Sequence, residues 1–269
     1  MNDISKKRRI AILFGGRSAE HDVSVLSAAN VMKALTPTKY DAVPVFITPE
    51  GHWLLSDFED GVLTKPTSCP RLCFLPGGHG HASAFPAQGC AYELPKFDTL
   101  SPVLHGRHGE DGAVQGLTEV ARVPLAGCGI LGSANSLDKE IAKRLFNEVG
   151  VPTARSITIR HGNAPTFREL ERTLGLPVFI KPVRQGYSVG ITKVSTESDY
   201  EMALSEGFRH DDKLLAEEFI LGREGETMLP YSRGSKSRDI EGLVEEMALG
   251  SWGFGATPTI PQCQTSCRL

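Results

Sequence analysis

Long apolar runs are missing from this chain. No stretch reaches the ~18 to 20 consecutive apolar residues that a membrane-spanning helix needs, and no apolar signal core follows the charges near the N-terminus. The expectation is a cytoplasmic protein with no membrane partner. Charge of one sign is also scarce. The formal net charge is -3, and Lys6 to Arg9 form the only compact cationic run, so a nucleic acid partner is not favoured either. Six cysteines stand scattered at 69, 73, 90, 128, 263 and 267. A chain of 269 residues builds its core without disulfide staples, so free thiols are expected. The pairs Cys69/Cys73 and Cys263/Cys267 lack the regular spacing of a zinc site, and no metal site is predicted from them. The Gly-x-Gly-x-x-Gly spacing of dinucleotide binders is absent from the first glycine turn, Gly15-Gly16-Arg17-Ser18, which argues against a nicotinamide cofactor. There is no internal repeat. What is present is ordinary for a soluble globular protein, with 40% apolar and 23% charged residues and enough length for two cores.

Strands alternate with helices from the start. Arg9 to Phe14 reads as an apolar strand, a helix begins near Asp22 or Ser24 and ends at Thr36-Pro37, and Asp41 to Ile47 reads as a second strand. This order predicts an α/β unit with a parallel, Rossmann-like sheet. Residues 66 to 88 are rich in Pro, Gly, Ser and His and read as a loop or irregular insertion. Asp98 to Leu104 resumes the sheet, and Ala113 to Val120 continues as a helix. A second, α+β unit begins around Gly132. It holds one helix from about Ser133 to Val149, a strand at Ile157 to Ile159, and a helix at Phe167 to Leu174. A hairpin from Leu176 to Val194, a helix at Glu197 to Glu206 and a strand at Lys213 to Phe219 complete it. The domain reading is 1–131 for a substrate-binding unit, 132–224 for a central unit and 225–269 for an atypical tail.

Three places carry residues suited to chemistry. In the segment His105-Gly106-Arg107-His108-Gly109-Glu110-Asp111-Gly112-Ala113-Val114-Gln115-Gly116, glycines hold histidines and two carboxylates in one short turn after an apolar run. Glycines let a backbone approach a ligand closely. The first strand ends at Gly15-Gly16-Arg17-Ser18-Ala19-Glu20-His21-Asp22. A carboxylate there can hold an ammonium group by a charge-assisted hydrogen bond. Glu20 alone reads equally as a helix-opening acid favoured by the dipole. In the second unit, Lys139 and Lys181 offer compact positive charges suited to phosphate oxygens, although a single lysine is usually a solvated surface charge.

The glycine-rich segment resembles the signature His-Gly-x-x-Gly-Glu-Asp-Gly, followed by Gln-Gly, of the D-alanine:D-alanine ligases. The first turn is similar to that family's Phe-Gly-Gly-x-Ser-x-Glu-His-x-Val-Ser string. The resemblance implies that Glu20, His21, Val23, Ser24, His105 and Gly106 line the pocket for the first D-alanine, with Glu20 orienting its amine. Lys181-Pro182 followed by Gly186, Ser188 and Gly190 resembles the family's phosphate-covering loop, where backbone N-H groups and the lysine bind phosphate. Glu217, Glu218, Phe219 and Ile220, with Glu224 beyond, match the adenine-side hinge. A strand edge there would offer backbone bonds to adenine, Glu217 would accept from its exocyclic amine, and Glu224 would bind the ribose. The fold implied is ATP-grasp, ATP and magnesium or manganese are the implied cofactors, and a homodimer is the family's common state. The reaction implied makes D-alanyl-D-alanine for peptidoglycan, through an acylphosphate. Other ATP-grasp ligases share the lysines and the hinge but not the turn from His105 to Gly116.

The chain departs from the family in two places. The family has Gly-Ser-Ser where this chain has Gly186-Tyr187-Ser188, so Tyr187 takes the place of a serine that hydrogen-bonds the pocket glutamate. A phenol also donates, so Tyr187 and Ser188 both stand as catalytic candidates. After Glu224 the family's metal ligands, an Asp and a Glu-x-Asn set, are not visible. Residues 225 to 269 read as a frameshifted tail or a replacement. The expectation is an ATP-grasp unit that is incomplete, and a chain with little ligase activity of its own. The alternative is a catalytically inactive, nucleotide-binding remnant.

Overall fold

The computed structural model describes residues 7–68 and 70–222. Glu224 and residues 225 to 269, with the expectations placed on them, lie outside the described residues. The chain divides into two units, with the boundary between Ser133 and Ala134.

The first unit is built around β1 (Arg8–Gly15), whose residues Ile10 to Phe14 are at most 1% exposed. A strand buried on both faces reads as a continuous apolar run instead of an alternating one. On one face Ala11 and Leu13 pack with Val45, Leu100 and Val114. On the other, Ile10, Ile12 and Phe14 pack with Ala28, Leu35 and Phe46. Helix α1 (His21–Ala34) supplies Ala28 to this second layer. Strand β2 (Tyr40–Ile47) lies parallel to β1 on one side. Next come β3 (Trp53–Leu55), the small hairpin of β4 (Phe58–Glu59) and β5 (Val62–Leu63), β6 (Arg71–Phe74), β7 (Ala82–Phe85) and β8 (Tyr92–Glu93). β9 (Thr99–Pro102) is parallel to β1 on its other side, and α2 (Ala113–Ala121) follows it.

The order β8-β7-β6-β3-β2-β1-β9 makes one seven-stranded sheet. It is mixed, since β2, β1 and β9 are parallel and the remaining neighbours are antiparallel. The reading of 66 to 88 as a loop is therefore corrected. β6 alternates exposed Arg71 and Cys73 with buried Leu72 and Phe74, and β7 turns Ala82 and Ala84 inward. The pattern was short and half of it alanine, so the flanking Pro and Gly residues masked it. The turn between these strands carries Gly80 at φ +90°, where an added Cβ would lie 2.0 Å from the backbone oxygen of Phe97.

The second unit opens with two helices in place of the single one expected from 133 to 149. α3 (Ile130–Leu137) crosses the boundary and α4 (Lys139–Glu148) follows after Asp138. Asp138 separates them because it is extended (φ -76°, ψ 100°) and its side chain accepts from the N-H of Ile141, which caps α4. β10 (Ser156–Arg160), α5 (Phe167–Leu174), β11 (Val178–Pro182), β12 (Thr192–Val194), α6 (Glu197–Gly207) and β13 (Lys213–Glu218) follow. Both α5 and α6 start on capping boxes, Thr166 with Glu169 and Thr196 with Asp199. The sheet order is β10-β13-β11-β12, all antiparallel. Val178, Ile180, Val194, Leu214 and Ala216 pack on one face against Leu170, Leu174, Tyr200 and Ala203 of the two helices. β13 is an interior strand bonded on both sides, so the strand edge expected at Glu217 and Glu218 is not there. Among the described residues no helix is long and apolar enough to cross a membrane.

The Gly80 contact gives a direct test. Gly80→Ala must displace backbone, and overpacking of this kind costs about 1–3 kcal/mol. Gly89 also has positive φ (+96°) but nothing within 4 Å of its built Cβ. Chemical denaturation should therefore place Gly80→Ala at least about 1 kcal/mol below Gly89→Ala. Equal stabilities for the two variants would contradict the close approach at Phe97.

Candidate active site

In the first unit the site grows from the carboxyl ends of β1 and β9. β1 ends at Gly15 (φ +88°), where a Cβ would sit 2.5 Å from the oxygen of Ile47. The Gly15 N-H donates to Ser24 Oγ at 2.8 Å, and the Ser24 hydroxyl donates to the carbonyl of Val103. Ser24 is fully buried. It therefore ties the turn to the segment after β9 and exposes nothing to a ligand, contrary to its place among the pocket-lining candidates. The His21 Nδ1 lies 2.7 Å from the carbonyl oxygen of Gly16, and its ring meets Phe46 edge-on. Val23 is half-buried on α1.

Glu20 occupies the N-cap position of α1 and makes no side-chain capping bond. Its carboxylate faces Gly106 so closely that a Cβ there would stand 2.8 Å from Glu20 Oε2. Gly106 has φ +70°, so glycine is required on two counts. The Gly106 N-H donates to Glu110 Oε2 at 2.8 Å. His105 sits beside both acids. Its Nε2 is 3.1 Å from Ser27 Oγ and its Nδ1 is 3.9 Å from Glu110 Oε1. The Glu110 carboxylate beside the ring raises the imidazole pKa above its usual value. Burial opposes this, and the charge of Glu20 adds to the rise.

The rest of the glycine-rich segment holds the turn. Asp111 accepts from the N-H groups of His108 (2.8 Å) and Ala113 (3.0 Å), and Gln115 Nε2 donates to the carbonyl of Gly109 at 2.9 Å. The segment thus divides its labour, since His105, Gly106 and Glu110 meet around Glu20 while Asp111 and Gln115 fix the backbone. A pocket of about 250 Å³ opens beside the turn, lined by Gly16, Ile47, Trp53, Leu104, His105 and Gly109 among others. It lies where ligands enter open α/β sheets, at the carboxyl ends of the parallel strands. Ser27 was not singled out from sequence, and Glu110 stood there as one of the two carboxylates of the turn without a role of its own. Ser27 lies on α1 one and two turns beyond Ser24 and Glu20, and that helical spacing was the available signal.

In the second unit the charged residues share the sheet face turned away from α5 and α6. Because side chains alternate along a strand, Phe179 and Lys181 of β11 and Lys213, Leu215 and Glu217 of β13 all point there. The Glu217 carboxylate is 9% exposed and is gripped by two ammonium groups. Lys181 bonds one oxygen and Lys143 approaches the other at 2.5 Å. Burial acts to raise the Glu217 pKa, but Lys181 and Lys143 outweigh it, so the carboxyl lies below its usual range. Lys143 was missed in the sequence, although it stands one helical turn after Lys139 on α4.

Lys139 is the first residue of α4, and its ammonium donates to the carbonyls of Val183 (3.3 Å) and Gln185 (2.5 Å). These carbonyls belong to the base of the loop between β11 and β12. Arg184 fastens the same base through its N-H to Asp211 Oδ2 (2.7 Å) and its guanidinium to Asp211 and Asp212. At the tip, Gly186 is half-buried while Tyr187 and Ser188 are exposed, with φ of +52° and +58°. Glu218 accepts from Arg155, both from the backbone N-H and from Nε at 2.6 Å, and the Phe219 N-H is bonded to the carbonyl of Pro177. Ile220 is exposed. The structure therefore brings together Lys181 and Glu217, sets Lys139 at the base of the loop, and ties Glu218 to Arg155. A neighbouring cluster joins Lys213 to Asp138 (2.6 Å) and Glu140 (2.8 Å) at the start of α4. Among the described residues no group of three or more His, Cys, Asp or Glu side chains is placed to hold a metal ion.

His105 supplies a pH test. Its folded-state pKa is raised by Glu110, so the stability it contributes is fully present below the unfolded value of about 6.5 and is lost as pH rises through the folded value. An NMR titration of the His105 ring should give a midpoint above that of a free histidine, and Glu110→Gln should lower it. A midpoint that does not respond to Glu110→Gln would break the assignment.

Comparison with known proteins places this architecture. Residues 9–128 match the sequence model for the D-ala D-ala ligase N-terminus, and residues 145–234 match that for the D-ala D-ala ligase C-terminus. The chain is 65% identical over 222 residues to D-alanine--D-alanine ligase A of Brucella suis, covering 82% of this chain and 63% of that protein. It is 48% identical over 239 residues to the enzyme of the same name from Mesorhizobium japonicum, covering 86% of this chain and 66% of that one. Among solved structures, the VanG D-Ala:D-Ser ligase from Enterococcus faecalis superposes with a TM-score of 0.70 at 33% identity, covering 81% of this chain and 64% of that chain. The chain thus spans about 63% of the length of its Brucella relatives. Through both its N-terminal and its central unit, it belongs to the D-alanine–D-alanine ligase family.

Proposed function

We propose that this chain carries the amine-binding and nucleotide-binding parts of an ATP-dependent D-alanine–D-alanine ligase that works in the cytoplasm and supplies peptidoglycan precursors. The observation that carries the reading is the meeting of Glu20, Gly106, His105 and Glu110 at one corner. An acid held against a glycine backbone, with a histidine of raised pKa beside it, suits a small zwitterion whose ammonium must be gripped and whose carboxylate must react. In the reaction, a carboxylate oxygen of the first D-alanine attacks the γ-phosphorus of ATP, and ADP leaves. The amine of the second D-alanine then attacks the acyl carbon of the acylphosphate. Phosphate departs, the ammonium proton is lost, and the peptide bond is formed.

Glu20 accepts from the first substrate's ammonium, with His21, Val23 and Ser24 shaping the helix start behind it. The raised pKa favours the protonated imidazole of His105, which suits it to hold charge close to the reacting carboxylate. In the second unit Lys139 and Lys181 face phosphate oxygens, with Gly186, Tyr187 and Ser188 covering them. Glu217, Glu218, Phe219 and Ile220 border the adenine. Magnesium neutralises charge on the β and γ phosphates in phosphoryl transfer of this kind. The described residues hold no donor set that fits it, and no step above is assigned to it.

Turnover distinguishes a working ligase from a nucleotide-binding remnant of one. Phosphate release is measured with ATP, magnesium and D-alanine, for the chain and for Glu20→Gln. Losing one charge-assisted bond to the substrate should reduce kcat/KM by about tenfold or more. A folded chain that binds ATP but releases no phosphate identifies the remnant. Turnover unaffected by Glu20→Gln would remove Glu20 from its assigned role.

A further inference from the structure

The nucleotide reading accounts for Lys181 and Glu217 but leaves Lys143 without a task. Lys143 is no surface charge. Its side chain is 12% exposed, and its ammonium lies 2.5 Å from Glu217 Oε1 while Lys181 takes Oε2. The geometry explains how all three meet. β11 and β13 place Lys181 and Glu217 on one face, and Glu217 stands opposite Phe179 in the register, two residues from Lys181. α4 projects Lys139 and Lys143 one helical turn apart, so both ammonium groups reach the same sheet face. Lys139 goes to the loop carbonyls and Lys143 to the carboxylate.

A buried carboxylate facing a single lysine would form a closed, neutral pair. Drawing that lysine to a phosphate would strand the carboxylate as an unpaired charge in a desolvated place, which is strongly unfavourable. With two lysines on one carboxylate, the cluster carries one surplus positive charge. Lys181 can then leave without orphaning Glu217. The surplus also attracts anions to this face before contact.

We propose that Lys143 is a positioning residue for nucleotide binding: it serves as the standing counter-charge of Glu217, so that Lys181 is free to engage the polyphosphate of the incoming nucleotide. This rests on the nucleotide reading above. Its consequence is specific to phosphate. Without Lys143, Lys181 is held on Glu217, and a ligand with phosphates suffers while one without them does not. Lys143→Arg keeps the charge and should keep the function, since the guanidinium remains protonated and pairs well with a carboxylate.

Calorimetric titration of the full chain with ADP and with adenosine, in one magnesium-containing buffer, tests this. In Lys143→Met the Kd for ADP should rise by about tenfold or more, equivalent to about 1.4 kcal/mol, while the Kd for adenosine changes by less than about threefold. Lys143→Arg should stay within about threefold of the parent for both. Adding Glu217→Gln to Lys143→Met removes the charge that captures Lys181 and should return the ratio of ADP to adenosine affinity towards the parent's, because any loss at the adenine contact of Glu217 falls on both ligands alike. This double variant also serves where Lys143→Met alone folds poorly. Equal weakening of ADP and adenosine, unchanged ADP binding in Lys143→Met, or no recovery of that ratio in the double variant would overturn the proposal. A parent chain that binds neither ligand would bring down the nucleotide reading and this proposal with it, whereas a parent that binds both beside an unaffected Lys143→Met brings down this proposal alone.

Discussion

The alternation of side chains along β11 and β13 is the constraint on which the second unit depends. Val178, Ile180, Leu214 and Ala216 must face α5 and α6 to build a core, and the intervening residues are then committed to the opposite face. Lys181, Glu217 and Lys213 are therefore held together by the same pleat that buries the apolar set. A register slip of one residue would turn the charges into the core and the apolar residues outward. The core thus enforces the geometry of the charged cluster, and the cluster in turn penalises the wrong register. The start of α4 completes both ion networks. Asp138 and Glu140 meet Lys213 there, and Lys143 one turn later meets Glu217.

In the first unit the corresponding constraint is backbone proximity. Gly15 lies against the carbonyl of Ile47 and Gly106 against the carboxylate of Glu20, each with positive φ. No side chain fits at either point without moving a neighbour. The close approach allows Glu110 to reach the N-H of Gly106 and allows His105 to stand beside both acids. Ser24 shows how the corner is kept in place from behind, with its hydroxyl spent on the backbone of Gly15 and Val103. A residue can be essential to such a pocket without touching what enters it.

The chain's legibility followed the strength of its periodic signals. The amphipathic helix from Phe167 to Leu174 has a capping Thr166 before it and Gly175 after it, and its bounds could be read directly. The family strings around Glu20 and His105 were equally plain, because unusual glycine spacing is rarely produced by core packing. β6 and β7 were obscured by alanine and by neighbouring Pro and Gly. Asp138 was read as part of a helix start, but in three dimensions it ends one helix and caps the next. The interior position of β13 could not be read at all, because strand order is set by contacts distant in sequence. The same holds for Lys143. Only the fold shows that the second lysine of α4 faces a carboxylate seventy-odd positions on, although its spacing from Lys139 follows from the helix.

Lys139 links these two kinds of order. Its ammonium is spent on the carbonyls of Val183 and Gln185, at the base of the loop that also bears Tyr187 and Ser188. Arg184 with Asp211, and Gln185 with the carbonyl of His210, fasten the same base. Among the described residues no ion pair holds residues 186–189 of the tip. Its internal bonds run from Val189 to Gly186 and from Ile191 to Ser188, and two consecutive L residues there hold positive φ. Left-handed conformations cost such residues about 1–2 kcal/mol each, so the tip stores strain that a rearrangement releases, whereas moving the base breaks charge-assisted bonds. Tyr187 thus sits on the strained part of the loop, between its bonded base and Gly190, which lies against Pro182 and His210. Lys139 is committed to the base in the same way, so any phosphate drawn to its ammonium would have to displace the carbonyls of Val183 and Gln185.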